Sequence, residues 1–357
     1  MSRVYKGSDL VQFSPRSVEF LKFYNYKNSS ISSRSYSEVF YERSICTDME
    51  QSQVSEPVAT ILGFVFAVIV CFGGVTNALV LITHTKYHKE LLKDSKDILT
   101  FSLAFGDLVM SIIVTPLALS SAVARKWTTG RNGCVIYGLM TTWIGLSSIL
   151  QLTCIAVERC YTLSSLNASN TSRKRATQMI AGCWLISFLA SSLPLFGFSQ
   201  FTLEGYGLHC SIVWKNSHVW YCLFLLLFFY ALPITTIAIS YAKMFLIVRR
   251  VYRNAAVTWG ANAQATRKSY TAQVKFTKQL VVVTCGFLIA WTPYAIMSGL
   301  RVLSNIEFEN GWYELPALFA KTANIYNPII YFLMYRRLRR HVSMCLGEAW
   351  KKVFQSW

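Results

Sequence analysis

The chain has 357 residues, of which 53% are hydrophobic and only 15% are charged. A soluble globular domain carries about a quarter charged residues, so this composition excludes a disordered chain, a small disulfide-stapled domain and a fibrous repeat. The net charge of +18 fits either a nucleic-acid-binding surface or the cytoplasmic loops of a membrane protein, and the positions of the basic residues decide between the two.

The first 56 residues are rich in Ser and Tyr and contain no long apolar run. We therefore expect no cleavable signal peptide, and we predict that 1–56 is an extracellular tail translocated with the first membrane span. Asn28 opens an Asn-Ser-Ser sequence, which is a glycosylation acceptor if the tail lies outside the cell.

Seven apolar runs follow the tail, and each is long enough to cross a bilayer, which takes about 20 residues. Gly and Pro inside such runs are tolerated in a membrane, because neighbouring helices satisfy the freed backbone groups. We predict an all-α membrane protein with a seven-helix bundle over 57–335, then a short amphipathic helix and cytoplasmic tail over 336–357. The runs are Val58–Thr83, Ile98–Val123, Val135–Ala156, Thr177–Phe198, Val219–Val248, Leu280–Leu300 and Leu315–Tyr335.

The basic residues are distributed unevenly between the two sets of loops. Twenty-one Lys and Arg lie in 84–98, 159–176, 247–279 and 335–357, against five in the loops of the opposite face. Basic loops stay cytoplasmic, so the pattern predicts a multi-pass plasma-membrane protein with an extracellular N-terminus. It explains the net charge without a nucleic-acid partner and predicts contacts of the inner face with acidic lipid or a partner protein.

Ionisable residues inside the predicted spans are few. Lys321 and Asp107 lie within spans, and Glu158–Arg159 end the third span. A charge at mid-helix costs about 2.5–3.5 kcal/mol on insertion scales, so these residues indicate function. Desolvation favours the neutral, nucleophilic amine of Lys321, which indicates a Schiff base with a carbonyl compound or else an ion or proton relay.

The other charges have simpler interpretations. Asp107 fits a sodium ion or a water network between helices, and we predict no other metal site. Glu158 and Arg159 fit an intrahelical ion pair at the inner face. Cys134 and Cys210 lie at the oxidising outer face, where a disulfide is plausible.

An ordered set of residues resembles the class A, rhodopsin-like G-protein-coupled receptors. The matches occur in order along 58–340, one or more in each span, and the set is far more specific than any single member. The resemblance implies coupling to a heterotrimeric G protein and a disulfide between Cys134 and Cys210. The matching residues are Asn77, Asp107, Glu158, Arg159, Trp184, Pro233, Tyr241, Phe287, Trp291, Pro293, Asn327, Pro328 and Tyr331.

Within that family, Lys321 resembles the retinal-binding lysine of the opsins, because it lies six residues before Asn327. The resemblance implies retinal held as a protonated Schiff base, 11-cis in the dark and all-trans after light. It also implies a set of residues around the chromophore. These are Tyr137, Thr142, Gly145, Phe229, Tyr230, Trp291 and Tyr294.

A protonated imine in an apolar pocket needs an anion, or it loses its proton. Vertebrate visual opsins place a Glu three residues after the disulfide Cys of the third helix, but here that residue is Tyr137. Glu204, six residues before Cys210, matches the alternative acid of invertebrate-type opsins, and we predict it as the counterion, with a bound anion as the alternative. The combination of Tyr137 with Glu204 resembles that of bistable pigments, whose photoproduct keeps its retinal and reverts with light.

The resemblance also implies an activation mechanism. Light would reshape the ligand against Trp291, open the restraint at Glu158–Arg159 and leave Tyr241 and Tyr331 to support the open form, with phototransduction through the G protein. Arrestin and a homodimer are further expected partners. The protein is then a photoreceptor and not an enzyme. The alternatives are a class A receptor for a diffusible ligand and a retinal photoisomerase that does not signal.

Overall fold

We describe a computed structural model of the chain over residues 53–92, 95–164, 173–215, 218–259, 264–304 and 309–355. The predicted tail up to residue 52, with Asn28, lies outside these ranges. The described part is a helical bundle with one small hairpin. The helices are α1 (Glu56–Lys86), α2 (95–124), α3 (Gly130–Ser164), α4 (Arg173–Phe196), α5 (219–259), α6 (Gln264–Ser304), α7 (Asn310–Lys321), α8 (Ala323–Met334) and α9 (Arg336–Gln355), with a one-turn helix at His88–Leu91.

The described helices differ from the seven predicted runs at the last span. Six of them, α1 to α6, are continuous and apolar enough to cross a membrane, whereas the seventh span consists of α7 and α8, separated at Thr322. The Thr322 N–H donates to the carbonyls of Leu318 and Phe319, and the Ile325 N–H donates back to the Thr322 carbonyl. Tight turns of this kind interrupt the regular ladder, so the seventh span is apolar but not one helix.

Proline residues determine local helix geometry and cross-helix contacts. Pro328 in α8 has no N–H for the carbonyl of Asn324, four residues earlier. That carbonyl instead accepts a hydrogen bond from Asn77 Nδ2 of α1 at 2.9 Å. In α2, a π-helical turn at Met110–Val114 comes just before Pro116, and the Thr115 hydroxyl satisfies the Met110 carbonyl. The carbonyl freed by Pro328 therefore finds a partner in a neighbouring helix of the bundle.

The buried side chains form one cluster in the inner half of the bundle and two in the outer half. The inner cluster includes Leu103, Ile155, Met244 and Tyr331, and α9 packs against it through Leu338 and Val342. In addition, the His341 ring of α9 contacts Tyr87 and Glu90 in the turn after α1. The amphipathic helix is therefore held against the inner end of α1.

The second outer loop contains an element that the all-α prediction did not include. Strands β1 (Phe201–Glu204) and β2 (His209–Ile212) pair antiparallel, with Leu203 opposite Cys210 and Glu204 opposite His209. The turn between them uses positive φ angles at Gly205 and Gly207, which glycine adopts without strain. A disulfide between Cys134 and Cys210 joins β2 to the start of α3. The hairpin thereby closes the outer end of a cavity.

Candidate functional site

The cavity lies among α3, α5, α6, α7 and the hairpin, and Lys321 is part of its wall. Lys321 is the last residue of α7 and is only 7% exposed. Its neighbours in the wall are mostly apolar or aromatic, so the site is a buried amine at the edge of an apolar space. The other lining residues are Thr141, Thr142, Gly145, Leu146, Ile149, Glu204, Cys210, Ser211, Ile212, Trp214, Leu225, Leu226, Phe229, Tyr230, Phe287, Trp291, Tyr294, Ala295, Ala317 and Ala320.

Trp291 of α6 lies at the centre of an aromatic group in the cavity wall. Its ring stacks on Phe287, with centroids 5.7 Å apart, and meets Tyr294 edge to face at 6.2 Å. Gly145 of α3 makes this arrangement fit, because a Cβ there would lie 2.8 Å from Trp291 Cη2. The absence of a side chain at Gly145 thus lets the indole approach the third span.

Glu204 reaches the cavity from the end of β1. It is 7% exposed, and its Oε1 accepts a hydrogen bond from the Tyr294 hydroxyl at 3.0 Å. Trp214 Nε1 donates to the same hydroxyl at 3.0 Å. Within the described residues no salt bridge of 4.0 Å or less joins Glu204 to Lys321, although the two charges interact electrostatically. The carboxylate therefore lies near the amine without touching it.

A second buried carboxylate near Lys321 escaped the sequence prediction. Glu314 of α7 is 2% exposed, and its Oε1 lies 3.0 Å from His209 Nε2. The other ring nitrogen of His209, Nδ1, lies 3.6 Å from Glu204 Oε2. Glu314 and Lys321 are seven residues apart, which is two helical turns and one helix face. The seven-residue spacing could have indicated Glu314 as a partner of Lys321, but the predicted seventh span begins at Leu315, one residue after Glu314.

Tyr137 occupies a different position from the other predicted chromophore residues. It is fully buried but does not line the cavity; its ring stacks near His209, with centroids 6.3 Å apart. It lies in the layer that contains the disulfide of Cys134, outward of the cavity. By contrast, Thr142, Gly145, Glu204, Phe229, Tyr230, Trp291, Tyr294 and Lys321 all line one space, and their role around a chromophore stays a prediction.

Asp107 forms a polar contact between the second and seventh spans. Its Oδ2 accepts a hydrogen bond from Asn327 Nδ2 at 3.0 Å, and it is 4% exposed. In the part of the chain that the structure describes, no group of three His, Cys, Asp or Glu side chains could hold a metal ion. Sodium can also be held by a single acid together with neutral oxygens, so a sodium ion at Asp107 stays a prediction.

The inner end of α3 contains the adjacent ion pair. Arg159 Nε lies 3.3 Å from Glu158 Oε2, and Glu158 Oε1 accepts hydrogen bonds from Ser95 of α2 and Thr162 of α3. Further along the inner half, the Tyr241 hydroxyl of α5 meets the Thr284 hydroxyl of α6 at 2.7 Å. Polar contacts thus join α2 to α3 and α5 to α6 in the inner half of the bundle.

The fold and the site together define a membrane-embedded receptor with a buried ligand cavity. The family described as the 7 transmembrane receptor (rhodopsin family) matches residues 76–331, which is most of the chain. The chain therefore belongs to the rhodopsin family of seven-transmembrane receptors.

Similar proteins place the chain with the opsins of that family. A rhodopsin of Sepia officinalis is 28% identical over 82% of this chain and 65% of its own length. A blue-sensitive opsin of Carassius auratus is 30% identical over 77% of this chain and 78% of its own length. The crystal structure of squid rhodopsin superposes with a TM-score of 0.76 at 27% identity, covering 90% of this chain and 91% of that one. The chain spans about two thirds of the length of the cephalopod rhodopsins that it matches.

Proposed function

We propose that this protein is a light-sensing receptor that binds retinal covalently through Lys321 and activates a heterotrimeric G protein. The observation that carries the proposal is the position of Lys321, a buried amine in the wall of an aromatic, mostly apolar cavity. A desolvated lysine reacts readily with carbonyl compounds. The family membership and the opsin relatives support the same interpretation.

The residues of the cavity fit such a ligand. When bound, retinal supplies an aldehyde that condenses with the Lys321 amine to a Schiff base, and a polyene that changes shape on absorbing light. Phe229, Trp291 and Tyr294 offer aromatic surface to an apolar chain, and Lys321 and Glu204 are the charged residues among those that line the wall. A site with one reactive amine and few other polar groups suits an apolar aldehyde better than a charged ligand.

Glu204 is the proposed counterion of the Lys321 nitrogen. Its burial and its electrostatic interaction with Lys321 support this role. The distance between the groups exceeds direct contact, so the carboxylate stabilises the charge through space or through water. Tyr137 cannot take this role near neutral pH, because a phenol is neutral there.

Signal transmission starts at Trp291. Its indole fills the space beside Gly145, so a change of ligand shape changes the packing between α3 and α6. Pro293 lies two residues further along α6 and weakens that helix locally. We propose that α6 moves outward there, that the Glu158–Arg159 pair separates, and that Tyr241 and Tyr331 stabilise the open inner face.

The basic inner face and α9 form the proposed docking surface for the G protein, with the N-terminus extracellular and the protein in the plasma membrane. Arrestin and anionic lipid would contact the same face, and a homodimer would form beside it. The contacts at Glu158, Asp107 and Tyr241 favour a signalling receptor, because a photoisomerase that does not signal has no use for them.

Reconstitution tests the proposal. The full chain, expressed in membranes and incubated with 11-cis retinal, should give a visible band that survives washing, and light should then accelerate nucleotide exchange on an added G protein. Lys321→Ala should abolish the band. Lys278→Ala should keep it, because Lys278 is an exposed lysine of α6 that does not line the cavity. A wild-type protein without a band contradicts retinal binding and leaves a receptor for a diffusible ligand. A band without light-dependent exchange contradicts signalling.

A further inference from the structure

Three ionisable side chains form a buried cluster on the outer side of Lys321. Glu204 comes from β1, His209 from β2 and Glu314 from α7, and all three are at most 7% exposed. His209 lies between the carboxylates, with Nε2 at 3.0 Å from Glu314 Oε1 and Nδ1 at 3.6 Å from Glu204 Oε2. The cluster thus contains two acids and one imidazole next to a buried amine.

The local backbone is built to hold this cluster. Glu204 and His209 are direct partners in the hairpin register, so their side chains share one face of the sheet. Gly205 has a φ of 58°, and a Cβ there would lie 2.2 Å from Glu314 Oε2. Because glycine leaves that space open, Glu314 reaches the turn and accepts a hydrogen bond from the Tyr206 N–H at 3.2 Å. Hairpin and α7 are therefore joined through the Glu314 carboxylate.

The geometry constrains the protonation of His209. A neutral imidazole has one N–H, so it donates on one side and presents a lone pair on the other. Here both ring nitrogens face carboxylate oxygens, and a lone pair facing an ionised carboxylate is repulsive. An imidazolium carries an N–H on both nitrogens, so it donates a hydrogen bond to Glu314 and attracts the Glu204 carboxylate, whose Oε2 at 3.6 Å lies just beyond hydrogen-bond distance. The ring is also fully enclosed, with Tyr137 of α3 stacked beside it and Phe66 of α1 at its edge.

The charge balance leads to the same result. Two ionised carboxylates beside one positive nitrogen leave a net negative charge in a buried site, and an uncompensated buried charge is costly. A positive His209 brings the sum for Glu204, Glu314, His209 and Lys321 to zero. Among the residues that the structure describes, the other titratable groups that face the cluster are the phenols of Tyr137 and Tyr294, which are neutral near pH 7.

We propose that His209 carries a proton and bridges Glu204 and Glu314, so that Glu314 is a second carboxylate balancing the charge on the Lys321 nitrogen. His209 and Glu314 act as positioning residues, and Glu204 remains the acid in the cavity wall. The proposal rests on the proposed retinal function for its spectral test. The protonation of His209 itself concerns the protein without a ligand and is testable separately.

The spectral test compares three variants with the wild-type pigment. Glu314→Gln removes one negative charge, so the visible band should be lost at a pH lower by about one unit, a tenfold change in proton binding. His209→Gln removes a positive charge, so the band should persist to a pH higher by a similar amount. Glu309→Gln is the matched control, because Glu309 is an exposed acid at the start of the same helix.

Opposite shifts in the two variants support the proposal, provided the control stays at the wild-type value. If either variant loses the band at the same pH as the wild type, or if both shifts have the same sign, the proposal is overturned. The double variant Glu314→Gln with His209→Gln should return toward wild type, because the two charge changes cancel.

A second measurement needs neither retinal nor a variant. Ligand-free wild-type protein with ¹⁵N-histidine and ¹³C-glutamate is examined by solid-state NMR. His209 is identified as the histidine whose two ring nitrogens both couple to glutamate carboxyl carbons. Two protonated nitrogens at neutral pH support the bridge; one protonated nitrogen overturns it. If the wild-type chain binds no retinal, the proposed function fails while this test of His209 still stands.

Discussion

The Tyr294 hydroxyl donates a hydrogen bond to Glu204 at 3.0 Å and so joins α6 to the hairpin that closes the cavity. The same hydroxyl accepts a bond from Trp214 Nε1. Because Trp291 and Pro293 come just before Tyr294 in α6, this bond connects the proposed counterion with the helix that is proposed to move.

Tyr294→Phe should destabilise the protein by about 1–3 kcal/mol, because Trp214 Nε1 and Glu204 both lose a buried partner. The measurement is the rate of thermal bleaching of the retinal-loaded protein, which should increase. Tyr161→Phe is the control, since that ring is 61% exposed at the inner end of α3. Equal bleaching rates in the two variants would mean that the Tyr294–Glu204 bond contributes nothing.

Glu204→Gln should lower the pH at which the visible band is lost, because the Lys321 nitrogen then loses its nearest proposed anion. Glu204→Asp keeps the charge and should produce a smaller shift. A pH titration of the absorption spectrum at fixed chloride checks both variants. If Glu204→Gln titrates like wild type at low chloride and shifts when chloride is raised, a bound anion and not Glu204 provides the charge.

Cys134→Ser should cost about 2–5 kcal/mol, the range for losing a native disulfide, because Cys210 and the hairpin are then no longer attached to α3. A smaller fraction of the protein should take up retinal, and the loaded fraction should release it faster. Cys285→Ser is the matched control, because Cys285 is a free and exposed cysteine in α6. Retinal uptake as high as in the control would show that the hairpin holds its place without the bond.

Asn77→Ala should destabilise the ligand-free protein by about 1–3 kcal/mol, since the Asn324 carbonyl loses its donor and Pro328 cannot replace it. The midpoint of thermal unfolding in detergent should fall. The neighbouring Thr76→Ala provides the comparison, because the hydroxyl of Thr76 bonds carbonyls of its own helix. A midpoint no lower than that of Thr76→Ala would contradict a role for Asn77 in joining α1 to α8.

Glu158→Gln should raise nucleotide exchange on the G protein in the dark, because the neutral amide no longer pairs with Arg159. Exchange under light should change little. Glu56→Gln, at an exposed position at the outer start of α1, should behave like wild type. Dark exchange as low as in the wild type would mean that the pair does not restrain the inactive form.

The sequence predicted the bundle well, because about 20 apolar residues are long enough to cross a bilayer whatever their neighbours are. It could not show where helices extend beyond the apolar part, as α3 does from Gly130 to Ser164, or that the seventh span breaks at Thr322. The break is a local turn at Thr322, and just after it the Asn324 carbonyl contacts Asn77, which is distant in the chain.

The candidate site was predictable where chemistry made residues unusual. Lys321 was identified from one charge in an apolar run, and Glu204 from its spacing to Cys210. Glu314 was missed because it lies one residue outside the predicted span. His209 was missed because its importance depends on the hairpin register, which places it opposite Glu204.

Reductive trapping tests covalent retinal binding most directly. The retinal-loaded protein is treated with borohydride and digested, and the peptide that carries the reduced retinyl group is identified by mass spectrometry. The modification should map to Lys321 and be missing from Lys321→Ala. Retinal that washes away after borohydride, or that maps to another lysine, would contradict covalent attachment at Lys321.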